Sequence, residues 1–305
     1  MKTQKFSTPI LLLAFNRPDY LRIQIQALQD LHATSVFVAC DGPRENNEHD
    51  KSACTEIREY LQEVHKVLPL ITLIREGNAG CKYSVSSAID WFFTHVEEGI
   101  ILEDDCLATP SFFTFASVLL AKYKINKKIW HIAGSHFIET NDLKESYFFS
   151  KKPLCWGWAT WKDRWKNFNA EMPDWPSHKT DIELNLKTIT AKKYWCTIFE
   201  KMYKKQIDTW DYQWIYTIWK NYGICIIPKY NLVTNIGFDH RATHTKTSLS
   251  PWANLKTENL VFPLTHPTKI QVNEILDEQI QSNLDENIFK KLIKGIFKIL
   301  FQSRQ

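Results

Sequence analysis

The first hundred residues alternate short apolar runs with longer segments of helical character, and this alternation is the strongest constraint on the fold. Each run has the length of a buried strand and ends at polar or turn-forming residues. The runs cover residues 9–15, 35–40, 70–74 and 100–102. Strands that alternate with helices form a mostly parallel, doubly wound sheet with right-handed crossovers. The sequence therefore predicts an α/β fold.

Polar side chains stand at the C-terminal ends of all four predicted strands. In a parallel sheet these ends meet at one edge, which is where ligands bind. Each residue alone could be a turn residue, and that alternative stays open for Asn16 and Asp41. Four coincident placements favour one shared crevice. The residues are Asn16, Arg17, Asp41, Arg75 and the triplet Glu103, Asp104 and Asp105.

The triplet follows the fourth apolar run directly, and neither strand propensity nor turn chemistry requires three adjacent acids there. Oxygen-only ligands suit Mg²⁺ or Mn²⁺, and these ions in turn suit a diphosphate. A solvated acidic loop is the alternative interpretation. The first hypothesis is a metal-dependent enzyme that acts on a nucleotide-linked substrate.

Charge and cysteine content narrow the functional class. A net charge of +4 is too mild to indicate nucleic acid as a partner, and it is compatible with an anionic substrate. The seven cysteines are odd in number and form no C-x-x-C pair, which is typical of free thiols in a reducing compartment. The apolar run 10–15 is too short for a signal-peptide core or a membrane span. We therefore expect a cytoplasmic protein.

Tryptophan is concentrated in the segment 155–165. Trp158, Trp161 and Trp165 are spaced as i, i+3 and i+7, which predicts one face of a helix packed into the core. Trp156 and Gly157 precede this segment and are predicted to border the crevice, because glycine lets a ligand approach the backbone closely.

The C-terminal half offers further candidates. We predict a linker over 171–181, a helix over 182–205, and a second helix for which Asp208 or Thr209 is the N-cap. Capping would account for only one of the acids Asp208 and Asp211. Two histidines, His240 and His244, lie in a loop after a predicted strand 223–228. A basic amphipathic helix is predicted over 288–301. Each His is a candidate contact for a metal or a diphosphate, or else solvated. The helix would lie on an anionic membrane surface or dock on the protein.

Taken in order, these motifs resemble the nucleotide-sugar-binding half of GT-A glycosyltransferases. The similarity is to the N-acetylglucosaminyltransferase I type and to bacterial family 2-like enzymes of polysaccharide biosynthesis. It covers residues 9–115 well and the Trp-rich part more loosely. The motifs are the run 11–18, Asp41 with Gly42, Arg75 with Asn78 and Gly80, and the triplet followed by 110–113.

The resemblance implies a GT-A fold with a nucleotide-sugar-binding part at 1–135, an acceptor-binding and catalytic part at 136–265, and a tail at 266–305. It implies inverting transfer of a hexosyl or N-acetylhexosaminyl group from a nucleotide-sugar donor, such as a UDP-sugar, to a glycan or lipid-linked acceptor. The process would be cell-surface polysaccharide synthesis, at the inner face of the membrane.

The resemblance also implies roles for individual residues. Asp41 would read the uracil edge with Arg17 beside it, Asp104 would reach the ribose or the donor sugar, and Asp105 would bind Mn²⁺ or Mg²⁺. The triplet departs from strict D-x-D spacing, which leaves open which oxygens touch the metal. Gly80 and Lys82, at the start of a predicted helix, would support the charged or sugar portion of the donor.

Inverting transfer also requires a base for the acceptor hydroxyl, normally an acid at a helix start. Asp211 is the first candidate and Asp208 the second. His244 is favoured over His240 as the late histidine that contacts the metal or diphosphate.

Two alternatives come from other classes of protein. A sugar-nucleotide nucleotidyltransferase would share the sheet and the acids, but its first strand should lead into a Gly-rich basic loop. Residues 16–18, Asn-Arg-Pro, occupy that position here. A non-catalytic carbohydrate-binding protein would explain the tryptophans but not the acids at several strand ends.

Overall fold

A computed structural model describes residues 5–140, 142–238, 252–253 and 255–284. Its strands are β1 (Ile10–Ala14), β2 (Val36–Cys40), β3 (Leu70–Ile74), β4 (Glu98–Glu103), β5 (Cys106–Ala108), β6 (Ile129–Ala133), β7 (Tyr147–Ser150), β8 (Trp158–Trp161), β9 (Ile224–Pro228) and β10 (Val233–Asn235). Its helices are α1 (Pro18–Asp30), α2 (Glu48–His65), α3 (Gly80–His95), α4 (Pro110–Tyr123), α5 (Lys162–Trp165), α6 (Trp175–Asn185), α7 (Ile189–Tyr203) and α8 (Asp211–Lys220). Residues 274–284 are also helical.

The strands form an eight-stranded sheet in the order β3-β2-β1-β4-β8-β6-β9-β7, and β5 and β10 form a separate antiparallel ribbon. The pairs β3–β2, β2–β1, β1–β4 and β6–β9 are parallel. β8 is antiparallel to both β4 and β6, and β7 is antiparallel to β9. The predicted α/β fold with a mostly parallel sheet is confirmed.

The apolar runs become central strands because both of their faces are buried. All five residues of β1 are buried. Ile10 and Leu12 pack with α1, α2 and α4 on one side, and Leu11 and Leu13 pack with α3 and α8 on the other. A strand covered on both faces needs apolar residues throughout, and this is why the run lacks polar alternation.

Trp158 begins a strand, so the predicted helix over Trp158–Trp161 is wrong. Only Lys162–Trp165 is helical. Trp158 packs in the cluster that contains Trp214, and Trp161 packs in the cluster on the other side of the sheet. The prediction that these tryptophans are core residues is confirmed, since both are 1% exposed. Strand pairing with β4 and β6 outweighed the helical spacing.

The predicted linker over 171–181 is also wrong, because α6 begins at Trp175, which is fully buried. α6 packs with α7 and α8 around an aromatic cluster. The single helix predicted over 182–205 is interrupted, and Thr188 caps the new helix α7 by accepting a hydrogen bond from the Ala191 amide at 3.0 Å. Within the described ranges, none of the helices has the length and apolar character needed to cross a membrane.

Gly99, in the strand that leads to the acidic triplet, provides a test of the packing. A Cβ there would lie 2.3 Å from Cζ of the buried Phe92 ring, whereas a Cβ at Gly77 would meet nothing within 4 Å. We expect Gly99→Ala to lower the free energy of unfolding by about 1–3 kcal/mol through overpacking. Gly77→Ala, the matched control, should change it by no more than about 0.5 kcal/mol. Urea denaturation followed by circular dichroism measures both, and equal stabilities would contradict the packing described.

Candidate active site

The carboxyl ends of β1, β2, β3 and β4 lie at one edge of the sheet, as their parallel pairing requires. β6 runs in the same direction as β4 because β8 is antiparallel to both, so its C-terminal end lies at this edge too. The β5–β10 ribbon follows the acidic triplet and brings the chain after β10 against it. Residues from distant parts of the sequence therefore meet at this edge.

Arg17 binds two of the three acids of the triplet. Its Nη1 donates to Asp105 Oδ2 at 2.9 Å and its Nε donates to Asp104 Oδ2 at 3.2 Å, while Nη2 contacts Asp104 Oδ1. The Asp104 side chain is 3% exposed. Burial raises the pKa of Asp104, although the guanidinium of Arg17 opposes that rise. Arg17 thus holds Asp104 and Asp105 in place and compensates their charge.

The side chain of Glu103 has a different environment from those of Asp104 and Asp105. Glu103 follows Ile101 by two residues on β4, so its side chain lies on the α3 and α8 side of the sheet. Burial and the charges of Asp105, Asp104 and Asp211 raise the pKa of Glu103 to about 8. Among the described residues its carboxylate has no hydrogen-bond or ion-pair partner.

Asp211 lies close enough to Glu103 for its charge to act on that carboxyl group. It is the first residue of α8, and the Thr209 hydroxyl donates to its Oδ1 at 2.5 Å. Its negative charge contributes to the raised pKa of Glu103 and of the Cys155 thiol. The structure therefore brings together the acidic triplet and the predicted base, which are about a hundred residues apart in sequence.

Asp208 caps a helix, but not the one predicted. α8 has Trp210 as its N-cap and no side-chain capping bond. Asp208 instead accepts from the amides of Cys81 at 3.1 Å and Lys82 at 2.9 Å, at the start of α3. The exposed amides and the dipole at this helix start favour a carboxylate, here one supplied by a distant segment. The predicted local cap is wrong for this reason.

Gly80 makes room for that contact. Its φ of +76° is in the left-handed region, and a Cβ there would lie 3.0 Å from Asp208 Oδ2. Lys82 is 6% exposed, and its Nζ donates to Glu171 Oε1 at 2.8 Å. Hydrogen bonds from Lys205, Lys82 and Tyr83 lower the pKa of Glu171 to about 2. The start of α3 is thus bound to two acids of the C-terminal half.

Asp41 lies in a network of its own at the ends of β2 and β3. It accepts from the amides of Gly42 at 3.0 Å and Ala79 at 3.1 Å, and from Asn78 Nδ2 at 2.8 Å. Burial raises the pKa of Asp41, although these hydrogen bonds oppose the rise. A nucleobase bound at Asp41 would therefore compete with the side-chain amide of Asn78 for this carboxylate.

Asn16 and Arg75 make their contacts away from the triplet. Asn16 Nδ2 donates to Asp50 Oδ1 at 2.8 Å, and Arg75 Nη2 donates to Ser87 Oγ at 2.8 Å. Both residues are at the predicted edge of the sheet, but neither contacts the acids there.

Trp156 and Gly157 lie beside the triplet through the segment after β10. Gly157 has a φ of +63°, and its carbonyl accepts from the Gly134 amide at 2.7 Å. Gly237 packs directly on Asp105, where an added Cβ would lie 2.2 Å from Oδ2. Phe238 then packs against Trp156. Trp156 thus lies near the triplet, and its part in binding a ligand stays a prediction.

Several residues at the site were not singled out from the sequence. Cys81 lies among the acids, since Glu103, Asp208 and Asp211 add to the effect of burial in raising the pKa of its thiol. Glu171 and Gly237 are the others, and no local motif marks them because their partners are distant in sequence. His240, His244 and the predicted helix 288–301 lie outside the described residues.

No cluster of three or more His, Cys, Asp or Glu side chains in the described part of the chain is arranged to hold a metal ion by itself. Asp105 Oδ2 accepts from Arg17 Nη1 at 2.9 Å and Asp105 Oδ1 accepts from the Cys106 thiol at 3.4 Å. Any metal at this edge would need additional oxygen ligands from a substrate or from water.

Comparison with known proteins adds partial structural likenesses. No protein-family model and no curated protein matches the sequence. Residues 1–349 of S. aureus TarS are 12% identical with a TM-score of 0.36, over 54% of this chain and 50% of that one. UDP-glucose pyrophosphorylase in complex with UDP-glucose is 9% identical with a TM-score of 0.32, over 52% of this chain and 78% of that one.

The inositol-1-phosphate CTP transferase from T. maritima is 10% identical with a TM-score of 0.30, over 53% of this chain and 74% of that one. The chain thus spans only half the length of the TarS fragment. At these scores the likenesses assign neither a family nor an activity, and the fold rests on the observed strand order.

The raised pKa of Glu103 predicts a pH dependence of stability. Between its ordinary value of 4.5 and about 8, the folded state binds a proton that the unfolded state has lost. Stability contributed by this group is therefore present at low pH and declines as the pH rises through that window. We expect Glu103→Gln to reduce the loss of unfolding free energy between pH ~5 and pH ~8 by at least about 1 kcal/mol.

Urea denaturation in buffer containing a metal chelator measures this difference. Glu97→Gln, an exposed glutamate just before the same strand, is the matched control and should retain the wild-type pH dependence. A Glu103→Gln variant with the same pH dependence as the wild type would show that Glu103 titrates normally.

Proposed function

We propose that the protein is a GT-A-type glycosyltransferase that moves a sugar from a nucleotide-diphosphate sugar to an acceptor hydroxyl. The observation that carries this proposal is the convergence of Glu103, Asp105 and Asp211 at the carboxyl edge of the sheet, with Arg17 beside them. Inverting sugar transfer needs two parts: acids that hold a diphosphate through a cation, and a further acid that takes the proton of the acceptor hydroxyl.

The donor is proposed to lie along the strand ends, with UDP as the expected nucleotide. Arg17 lies at the start of α1, and we propose that its guanidinium, which binds Asp104 and Asp105, also contacts the diphosphate. Asp104 is buried and both its oxygens contact Arg17. We therefore propose that Asp104 positions Arg17 and does not make the expected contact with the ribose or the donor sugar. Asp41 remains the proposed reader of the base, in competition with Asn78.

Mn²⁺ or Mg²⁺ fits the oxygen ligands at the edge. Asp105 and Glu103 offer hard carboxylate oxygens, and Mg²⁺ is commonly bound by one or two carboxylates together with substrate phosphates. We therefore propose Asp105 as the main protein ligand, with His244 as a further contact. When bound, such an ion acts as a Lewis acid that stabilises the negative charge of the departing nucleotide diphosphate.

Asp211 is proposed to take the proton of the acceptor hydroxyl. Its hydrogen bond from Thr209 orients the carboxylate, and it lies in the first turn of α8, the helix-start position expected for the base. Asp208 is the weaker candidate, because both of its oxygens accept from the amides at the start of α3. We propose that Asp208, with the Lys82–Glu171 pair, fixes α3 against the acceptor half.

The first loop supports a transferase over a nucleotidyltransferase. α1 starts at Pro18, and its N-cap Arg17 faces the acids. The loop therefore presents one guanidinium and no Gly-rich backbone cradle for a triphosphate. The acceptor is proposed to be a glycan or a lipid-linked saccharide, as in polysaccharide biosynthesis at the inner face of the membrane.

Turnover of nucleotide sugars tests the proposal directly. Purified protein incubated with a panel of UDP-sugars and Mn²⁺ should release UDP, and Asp105→Ala should reduce the rate by at least about a hundredfold because charge stabilisation is lost. Asp30→Asn, an exposed acid at the far end of α1, is the matched control and should retain activity. If no nucleotide sugar binds with or without metal, the proposal fails.

Release of pyrophosphate from a nucleoside triphosphate and a sugar phosphate would instead indicate a nucleotidyltransferase. This reaction should be measured in parallel.

A second test separates binding from chemistry. Asp211→Asn should keep the UDP dissociation constant within about threefold, because Asp211 contacts the acceptor side, and should lower kcat by about 10²–10⁴-fold. Isothermal calorimetry and initial rates measure the two quantities. Loss of UDP binding in this variant would exclude Asp211 as the base.

A further inference from the structure

Four aromatic rings form a continuous cluster beside the acidic triplet, which we name the aromatic platform: Phe137, Trp156, Phe238 and Trp252. Phe137 stacks on Trp252 with ring centroids 5.2 Å apart and an interplanar angle of 14°. Trp156 meets Phe137 at 5.2 Å and 70°, and Phe238 at 5.5 Å and 86°. These are favourable stacked and edge-to-face geometries, so the rings support one another.

Backbone contacts hold the platform next to the acidic triplet. The amide of Ile236 donates to the carbonyl of Asp105 at 2.8 Å, and Gly237 packs on the Asp105 carboxylate. Phe238 is the next residue and lies against Trp156. Phe137 follows β6, whose C-terminal end is at the same edge of the sheet. The platform therefore begins one residue from the group proposed to bind the metal.

Three of the four rings are more exposed than the aromatic core. Phe137, Trp156 and Trp252 are partly buried and Phe238 is 6% exposed, whereas Trp158 and Trp214 in the core are no more than 1% exposed. Contiguous apolar surface next to a polar site is typical of a ligand-binding face.

The chemistry of the platform favours an uncharged ligand with an apolar face. Its four rings carry no formal charge, and the Asp105 carboxylate, which packs on Gly237 next to Phe238, would repel an anion. A pyranose ring has such a face, formed by its C–H groups, and the tryptophan face offers a large rigid surface for it. The diphosphate of the donor is better placed at Arg17.

We propose that the aromatic platform is the acceptor-saccharide subsite, with the Trp156 ring stacking on a neutral pyranose. This inference rests on the proposed function and specifies its acceptor as a saccharide bound next to Asp105. Trp156, which the sequence predicts to border the crevice, would thus act on the acceptor side.

Saturation-transfer NMR on the full chain, with UDP and Mg²⁺ present, tests this subsite. The probes are the methyl β-glycosides of glucose, galactose and N-acetylglucosamine. At least one should receive saturation at its ring protons, and Trp156→Ala should weaken its binding at least about tenfold, equivalent to 1.4 kcal/mol. Trp156→Phe retains an aromatic face and should stay within about threefold of the wild type.

Trp91→Ala is the matched control, because Trp91 is also partly buried and edge-to-face with a phenylalanine, Phe37, at 5.7 Å. It lies on the second half of α3, away from the acids, and its variant should bind the glycosides as the wild type does. The subsite is excluded if the wild type binds none of the three glycosides or if Trp156→Ala binds them equally well.

Calorimetric titration with UDP separates this inference from the function on which it rests. Unchanged UDP affinity in Trp156→Ala, together with lost glycoside binding, supports the acceptor subsite. Lost UDP affinity in that variant would place Trp156 at the donor and overturn the inference. Absence of UDP binding in the wild type would overturn the proposed function, whereas glycoside binding that depends on Trp156 would still identify a carbohydrate site.

Discussion

The pairing of β4 with β1 on one side and β8 on the other is the constraint on which the candidate site depends. Parallel pairing with β1 aligns Glu103 with Leu13, so the acidic triplet emerges beside Arg17 at the start of α1. Antiparallel pairing with β8 places Trp156 and Gly157 at the same edge. A shift of register by one residue would exchange the two faces of β4 and move Glu103 away from Asp211.

Several acids can lie close together at this edge because each has a different environment. Arg17 compensates Asp104 and Asp105, the amides at the start of α3 bind Asp208, and burial together with the charges of Asp105, Asp104 and Asp211 raises the pKa of Glu103. A buried carboxylate without a partner is costly. Glu103 is therefore the member of the cluster whose state depends most on what binds there, whether a proton or a cation.

Much of the architecture around β1 to β4 could be predicted from local patterns. Continuous apolar runs indicated the central strands because both faces of such strands are buried, and polar residues at their ends indicated a shared edge because parallel strands align those ends. Local patterns failed where long-range pairing decided the outcome. Trp158 joined a sheet in spite of helical spacing, Trp175 began a helix in a segment with linker composition, and Asp208 capped a helix more than a hundred residues away.

The sequence by itself determined the α/β class, the strands β1 to β4 and the presence of acids at their ends, since these follow from burial and from chain direction. Only the tertiary structure decided which groups face each other. It placed Asp104 and Asp105 against Arg17 and Glu103 near the charge of Asp211. It also brought Gly237 against Asp105 and Phe238 against Trp156. Such contacts depend on the relative placement of elements far apart in the chain, and no local propensity encodes that placement.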